Sequence, residues 1–306
     1  MERTRITAII GPTAVGKSSL AVDLAERFAG EIISADSMQV YRHMDIGTDK
    51  PPAELRRRVP HHLIDVVEPD DEYTAARFRG DASRVIEEVT GRGKRPFVVG
   101  GTGLYVKVLT EGLVDAPEGD PALRERLVQE AASRGREYLY ERLERVDPET
   151  ASGVHPNNLK RVIRALEVYE LEGRPASELR REHAFGERPY GALKIGLYRE
   201  REEIYRDIEA RVDEMVARGL AAETRGLLDR GYSPDLKPMC GLGYKEMVGY
   251  LQGDYPLEEA VRLIKRNTRR YAKRQLTWFR KDRETRWYRP EEKEKIAEVV
   301  AAHFGC

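Results

Sequence analysis

Eight consecutive residues, Gly11-Pro12-Thr13-Ala14-Val15-Gly16-Lys17-Ser18, have the types and spacing of a phosphate-binding loop, G-x-x-x-x-G-K-[ST]. In such a loop the backbone N–H groups point inward, and the start of the following helix favours negative charge. Lys17 adds a positive point charge for terminal phosphates, and Ser18 offers a hydroxyl to Mg²⁺. The loop therefore predicts a di- or triphosphate ligand without saying which one. Asp36 is the second candidate. A carboxylate beside a phosphate site can hold Mg²⁺, bind a substrate hydroxyl or accept a proton from a nucleophile. It can equally cap the turn that follows, and spacing does not choose. Arg211 is the third candidate. It follows Ile204 by seven residues and Ile208 by three, and precedes Met215 by four, which puts it on or beside a buried helical stripe. A charge there needs a partner, either an anion in the site or an internal Asp or Glu.

Further positions carry weaker chemistry. Gly100-Gly101-Thr102-Gly103 follows an apolar run that does not end in an acid. The glycines permit close approach to a ligand or simply a tight turn. A motor-type ATPase places a metal-binding aspartate at the end of such a strand, and Leu63-Ile64-Asp65 is a poor substitute, so ATP hydrolysis is not expected. Lys160, Arg161 and Arg164 share one stretch of predicted helix. From Arg262 to Arg289, basic residues interleave with Tyr271, Trp278 and Phe279, a pattern suited to a phosphodiester backbone and stacked bases. A charged run is usually a solvated face, but here only Asp282 and Glu284 offset the positive charge, which favours a polyanion surface. His61-His62 has no further ligands at zinc spacing and is read as structural. Cys240 and Cys306 suggest neither a disulfide framework nor a zinc site, and no His is placed to activate Cys240.

These side chains need elements to position them. Ile6 to Ile10 reads as a buried strand leading into the loop. Leu20, Ala21, Leu24, Ala25 and Phe28 then fall at helical spacing. Glu31 to Ala35 predicts a second strand with Asp36 at its C-terminal end, the edge where ligands bind in open α/β sheets. His62 to Val67 and Phe97 to Val99 predict two more strands, and a helix containing Leu104, Val108 and Leu109 follows. From Asp120 to about Arg181 only helical patterns occur, including one from Leu159 to Leu171 that Gly173 can cap. Strand character returns at Leu193 to Leu197, and the C-terminal third is mainly helical. The expected fold is α/β: a P-loop NTPase-like parallel-sheet core, residues 1–116 and 189–306, with an all-helical domain inserted at 117–188.

Composition bounds the rest. Of 306 residues, 53 are Lys or Arg and 53 are Asp or Glu, so any polyanion surface must come from local segregation of charge. No apolar run approaches the length of a membrane span, and the first strand begins too early to leave room for a signal peptide. A cytoplasmic protein is expected.

Taken together, these segments resemble the tRNA dimethylallyltransferases. The blocks are Gly11 to Ser18; Asp36 to Tyr41 continuing through Met44 to Thr48; His62 to Asp65; Gly100 to Tyr105; His155 to Arg161 with Arg164 to Val168; Gly243-Tyr244; and Arg274 to Arg280. They occur in family order over nearly the whole chain. The resemblance implies transfer of a dimethylallyl group from its diphosphate to N6 of adenosine 37 of tRNA, with a Mg²⁺ requirement. The loop, Gly11 to Ser18, would hold the diphosphate rather than ATP. By that resemblance Asp36 meets the target nitrogen, Thr13 and Arg211 contact the diphosphate, and Ser18 helps place the metal. It further implies RNA-facing roles for Asp36, Ser37, Met38, Gln39, Thr102, Arg124, Lys160, Arg161, Val162, Ile163, Arg164, Cys240, Gly241, Leu242, Gly243, Tyr244, Lys245 and Gln275. The enzyme is expected to work as a monomer away from membranes.

The implied chemistry suits the residues. An allylic C1 accepts substitution readily, so loss of diphosphate dominates the barrier, and cations with loop N–H groups can stabilise it. Two other classes fit the loop: a small-molecule P-loop kinase, and a nucleotide-gated RNA-binding module without group transfer. Adenylate isopentenyltransferase is a nearer neighbour, but the helical insertion and the basic C-terminal segment argue against a free nucleotide substrate.

Overall fold

Ile6, Ala8, Ile9 and Ile10 are all shielded from solvent, as an uninterrupted apolar run requires of a strand covered on both faces. The computed structural model describes residues 3–113, 117–183 and 186–306. In it this run is β1 (Arg5–Ile10), followed by α1 (Lys17–Arg27), β2 (Gly30–Ser34), α2 (Ala53–Arg58), β3 (His61–His62), α3 (Ala75–Gly91), β4 (Arg95–Gly100) and α4 (Gly103–Glu111). Helices α5 (Pro121–Arg134), α6 (Arg136–Val146), α7 (Pro148–Ser152), α8 (Leu159–Glu172) and α9 (Ala176–His183) come next. The chain ends with β5 (Gly191–Leu197), α10 (Arg201–Ala217), α11 (Leu220–Asp229), α12 (Tyr244–Gln252), α13 (Leu257–Phe279), β6 (Arg286–Tyr288) and α14 (Lys293–Phe304).

The chain divides into two units, Met1–Thr110 with Pro189–Cys306, and Glu111–Arg188. The boundary expected near Ala116 lies outside the described residues. In the first unit the described strands form one parallel sheet in the order β3-β2-β4-β1-β5-β6. Its register aligns Ile10 with Gly100 and Ser34 with Val99. The loops after β1, β2 and β4 therefore leave at one edge, where the strand order turns back on itself. Leu20, Ala21, Leu24 and Ala25 of α1 pack under them with Phe97, Ile195, Leu197, Ile296 and Val300. Gly100 permits the closest approach of these loops: a Cβ there would lie 2.1 Å from the carbonyl oxygen of Ala35.

One expectation needs correction, and one short element was not foreseen. The strand foreseen from His62 to Val67 stops at His62. Leu63 and Asp65 take left-handed backbone conformations, with φ 61° and 57°, and Val67 meets only Tyr41 in an isolated bridge. The buried Lys50 ammonium holds this turn by donating to Asp65, Asp45 and the Tyr41 carbonyl. The edge strand β6 lies inside the C-terminal third, read as mainly helical, where no strand was named. Three residues are too few to leave an alternating pattern.

The second unit is helical throughout its described residues. Leu127, Leu139, Leu143, Val162 and Leu166 form its core. Gly173 closes α8 in the left-handed conformation, with φ 69°. The fully buried Glu167 carboxylate gathers the Asp120 N–H and the guanidinium groups of Arg124 and Arg164.

Candidate active site

The phosphate loop enters α1 through Gly16, whose φ of 95° is left-handed and whose missing side chain leaves the first-turn N–H groups uncapped. Lys17 Nζ donates to the Pro12 carbonyl at 2.7 Å, folding over the loop it serves. Burial, then the neighbouring Arg211 guanidinium, lowers its pKa to about 8 even though Asp36 and Asp49 oppose the shift. Ser18 stands exposed in the first turn of α1. The Thr13 N–H is already occupied, donating to Gln275 Oε1 at 2.9 Å.

Asp36 lies just past β2. Its Oδ1 accepts the N–H groups of Met38 at 2.8 Å and Gln39 at 3.3 Å, so it does cap the following turn. No bond engages Oδ2 among the described residues. Burial raises the pKa of this carboxyl, against the pull of the two N–H donors and Lys17. Arg211 reaches over from α10. Its Nη1 lies 3.4 Å from Thr13 Oγ1 and 2.7 Å from Asp49 Oδ2. Arg211 is part-buried, it has an acidic partner, and the pair lines the cavity beside the candidate phosphate loop.

Two cavities share these residues. One of 80 Å³ is lined by Thr13, Lys17, Ser18, Asp36, Gln39, Asp49 and Arg211 among others. The other, of 300 Å³, is lined by Thr13, Asp36, Ser37, Met38 and Arg211, by the apolar Ile208, Val212, Met215, Leu242 and Ile264, and by Thr268, Tyr271 and Arg274. The larger cavity thus combines loop and charged groups, including a carboxylate with one oxygen unengaged among the described residues, with apolar surface.

Residues 39–282 match the family model described as IPP transferase, and residues 4–64 match one described as isopentenyl transferase. Over 305 residues the chain is 55% identical to tRNA dimethylallyltransferase 2 of Geotalea uraniireducens, covering 99% of this chain and 98% of the relative. The chain belongs to the tRNA dimethylallyltransferase family. It is also 52% identical to tRNA dimethylallyltransferase of Geobacter sulfurreducens, over 99% of this chain and 98% of that one. Among solved structures it is similar to the tRNA isopentenylpyrophosphate transferase of Bacillus halodurans, with TM-score 0.74, 42% identity, and coverage of 99% and 97%. A eukaryotic dimethylallyltransferase described as acting on tRNA gives TM-score 0.76 and 34% identity over 90% of this chain and 69% of that one.

Within this dimethylallyltransferase fold, several residues expected to face RNA have other duties. Gln275 is buried and bridges two loops, accepting from Thr13 N–H and donating to the Gly101 carbonyl at 2.9 Å. Gln39 Nε2 donates to the carbonyls of Thr48 and Asp49. Thr102 Oγ1 accepts the Ser37 N–H at 3.0 Å. Tyr244 is fully buried, with its hydroxyl on Glu223 at 2.6 Å. Val162 and Ile163 belong to the core of the helical unit, because a helix face cannot be both interior and solvent-facing. Arg124 and Arg164 are tied to Glu167. Lys160, Arg161, Cys240 and Lys245 are exposed, while Gly241, Leu242 and Gly243 line the larger cavity.

The basic run also divides. Lys265 pairs with Asp213, Arg269 with Glu209, Arg262 with Glu259 and Arg289 with Glu203. Arg270, Lys273, Arg274 and Trp278 lie along one exposed face of α13 at helical spacing, and Lys281 is exposed in the turn after it. No acidic side chain pairs with these four cations among the described residues. Sequence reasoning missed Asp49 and Glu223. Each is an ordinary polar residue until folding brings it to the site. Tyr271, singled out in the sequence only as an aromatic among basic residues, lines the larger cavity, and its hydroxyl pKa is pushed up to about 12, chiefly by burial and next by Asp36.

Proposed function

We propose that this chain transfers a dimethylallyl group from dimethylallyl diphosphate to N6 of adenosine 37 of tRNA, releasing diphosphate. The observation that carries this is the shared cavity. The 300 Å³ cavity lined by Thr13, Asp36 and Arg211 is also lined by Ile208, Val212, Met215, Leu242 and Ile264, apolar surface suited to a five-carbon group. The diphosphate lies on the first-turn N–H groups of α1, Lys17, Thr13 and Arg211. Mg²⁺ fits the donor set, which offers hard oxygens: the exposed Ser18 hydroxyl, with Asp36 and Asp49 in the same cavity. Ser18 would hold the ion together with phosphate oxygens and water. When bound, it supplies charge neutralisation to the diphosphate.

The target adenine leaves its stack and enters the larger cavity. Asp36 Oδ2 accepts a hydrogen bond from the exocyclic amine and orients its lone pair toward C1. The N6–C1 bond forms as the C1–O bond breaks, with the electron pair leaving on diphosphate. The amine proton passes to Asp36 as nitrogen becomes cationic, so prior deprotonation of a weak acid is unnecessary. The raised pKa of Asp36 suits it to take that proton. The exposed cations Lys160 and Arg161 on the helical unit, and Arg270, Lys273 and Arg274 on α13, take RNA phosphates. The two free, exposed thiols suit a reducing cytoplasmic setting. The direct test is incubation with labelled dimethylallyl diphosphate, tRNA and Mg²⁺, followed by location of the label. Label on adenosine 37 is the expected result. ATP consumption without transfer would support a kinase and overturn this reading.

Two quantitative expectations follow from individual groups. Lys17 has a pKa of about 8 in the free protein, and a bound diphosphate raises it. Binding between those two values takes up a proton. Donor affinity should therefore be full below about pH 8 and fall above it, by up to about tenfold per unit while only the bound form stays protonated. Calorimetric titration from pH 7 to 9.5 checks this, and a flat profile would remove Lys17 from the phosphates. Lys273→Ala should weaken tRNA binding and reduce the slope of log affinity against log salt by about one unit. Arg269→Ala, which removes a cation already paired with Glu209, should leave that slope nearly unchanged. Equal slopes for wild type and Lys273→Ala would take α13 out of the RNA footprint.

A further inference from the structure

Asp49 has the least expected position in the site. It is a second carboxylate, with Asp36, beside a loop built for an anion, and it lines both cavities with Thr13 and Arg211. Its Oδ2 holds Arg211 Nη1 at 2.7 Å, the guanidinium that also faces Thr13 of the phosphate loop. The placement is enforced by the fold. Glu223 on α11 accepts the N–H groups of Asp45 at 2.9 Å, Ile46 at 2.8 Å and Gly47 at 3.0 Å, and Tyr244 donates to the same carboxylate. Gln39 donates to the Asp49 carbonyl at 3.2 Å, and the Asp49 N–H donates to Ile46. Asp49 is thereby held at φ 51°, a left-handed conformation that few residues besides Gly, Asn and Asp adopt readily. A loop fixed through its backbone presents this carboxylate to Arg211.

We infer that Asp49 is a built-in competitor of diphosphate for Arg211, and that it favours release of the product over release of the donor. The inference rests on the proposed reading of the loop as the diphosphate site. Chemistry supplies the direction. In the donor one terminal oxygen is esterified to carbon. When the C1–O bond breaks, that oxygen becomes an additional oxyanion that can ionise. The product therefore carries up to one more negative charge beside the Asp49 carboxylate, and like charges at this range repel. As product leaves, Asp49 re-forms its pair with Arg211, so the cation is not stranded. Asp49 is in this sense a positioning residue that acts through Arg211.

The test compares Kd values for inorganic diphosphate and for dimethylallyl diphosphate, each with Mg²⁺ and without tRNA, in wild type, Asp49→Asn, Asp49→Ala and Lys17→Ala. Asn keeps the side-chain shape and tolerates the left-handed backbone, so the substitution removes mainly charge. Both Asp49 variants are expected to bind diphosphate roughly tenfold tighter, with a smaller gain for the donor, and diphosphate should become a stronger product inhibitor in the same proportion. A merely structural role would move both ligands together or neither. Unchanged or equal gains would overturn the inference. Weaker binding that depends on Mg²⁺ would also overturn it and make Asp49 a metal ligand. Lys17→Ala tests the underlying reading separately: if it does not weaken diphosphate binding, the loop is not the diphosphate site.

Discussion

Replacing Asp36 by Asn is expected to slow dimethylallyl transfer by about 10²–10⁴-fold, the usual range for a positioned acid–base group. The substitution nearly preserves shape. An Asn oxygen can still accept the N–H groups of Met38 and Gln39 that now meet Oδ1, so the turn after β2 should keep its course. What is lost is the proton-accepting charge. Stability should not fall with activity. Burial raises the folded pKa of Asp36 above its ordinary value of 3.8, so the folded state binds this proton more tightly than the unfolded chain. The ionised carboxylate is therefore a liability to the fold, and its cost is incurred as pH rises through the ordinary carboxylate range and the raised folded value. At neutral pH the Asn variant should unfold at the same temperature or higher. Donor binding should survive, because the loop is untouched, and tRNA affinity should fall modestly, because phosphate contacts lie elsewhere. Single-turnover transfer, measured with separate donor and tRNA binding and a thermal melt, checks all four outcomes. A near-normal rate would exclude Asp36 as the proton acceptor, and a loss explained wholly by donor affinity would make it a metal ligand.

Arg211→Ala is expected to cost transfer about 2–4 kcal/mol of transition-state stabilisation, or roughly 30- to 1,000-fold in rate at saturating tRNA. The guanidinium faces Thr13 of the loop, where negative charge grows as C1–O breaks. The variant also leaves Asp49 without its counter-ion beside the diphosphate, so donor binding should weaken as well. Arg211→Lys should recover part of the affinity through its charge and less of the rate, because an ammonium cannot reproduce the fork of the guanidinium. If Arg211→Ala transfers at the wild-type rate while melting earlier, the arginine serves the Asp49 pair alone.

How much of this was legible before folding depends on range. The phosphate loop is a local device: strand, glycine turn and helix start are contiguous, so eight residues specify it. The strand behind it and the helix after it are equally local, because burial on both faces of β1 and one face of α1 writes continuous and 3.6-residue apolar patterns. The helical insertion was readable for the same reason, from the absence of strand patterns between Asp120 and Arg181. Short elements were not. β3 ends where Lys50, from outside the predicted strand, draws Asp65 into a left-handed turn. β6 is three residues at a sheet edge and has no period to detect.

The same rule divides the site. The sequence by itself predicted a phosphate ligand at the loop and put Asp36 at the C-terminal end of a strand, and its family blocks pointed to the reaction class. Which polar side chains face the ligand was decided only by tertiary contact. Gln275 and Tyr244, like Asp36, occur in family blocks, yet folding turns one toward Thr13 and Gly101 and the other onto Glu223. A periodic stripe places Arg211 near the interior but cannot name its partner. That partner, Asp49, is 162 residues away in the chain (211 − 49) and meets it only because α10 crosses the loop that Glu223 secures. Side-chain type and local spacing encode what an element can do; the direction of a polar group and the identity of its counter-charge arise when distant elements pack, and no short-range pattern records them.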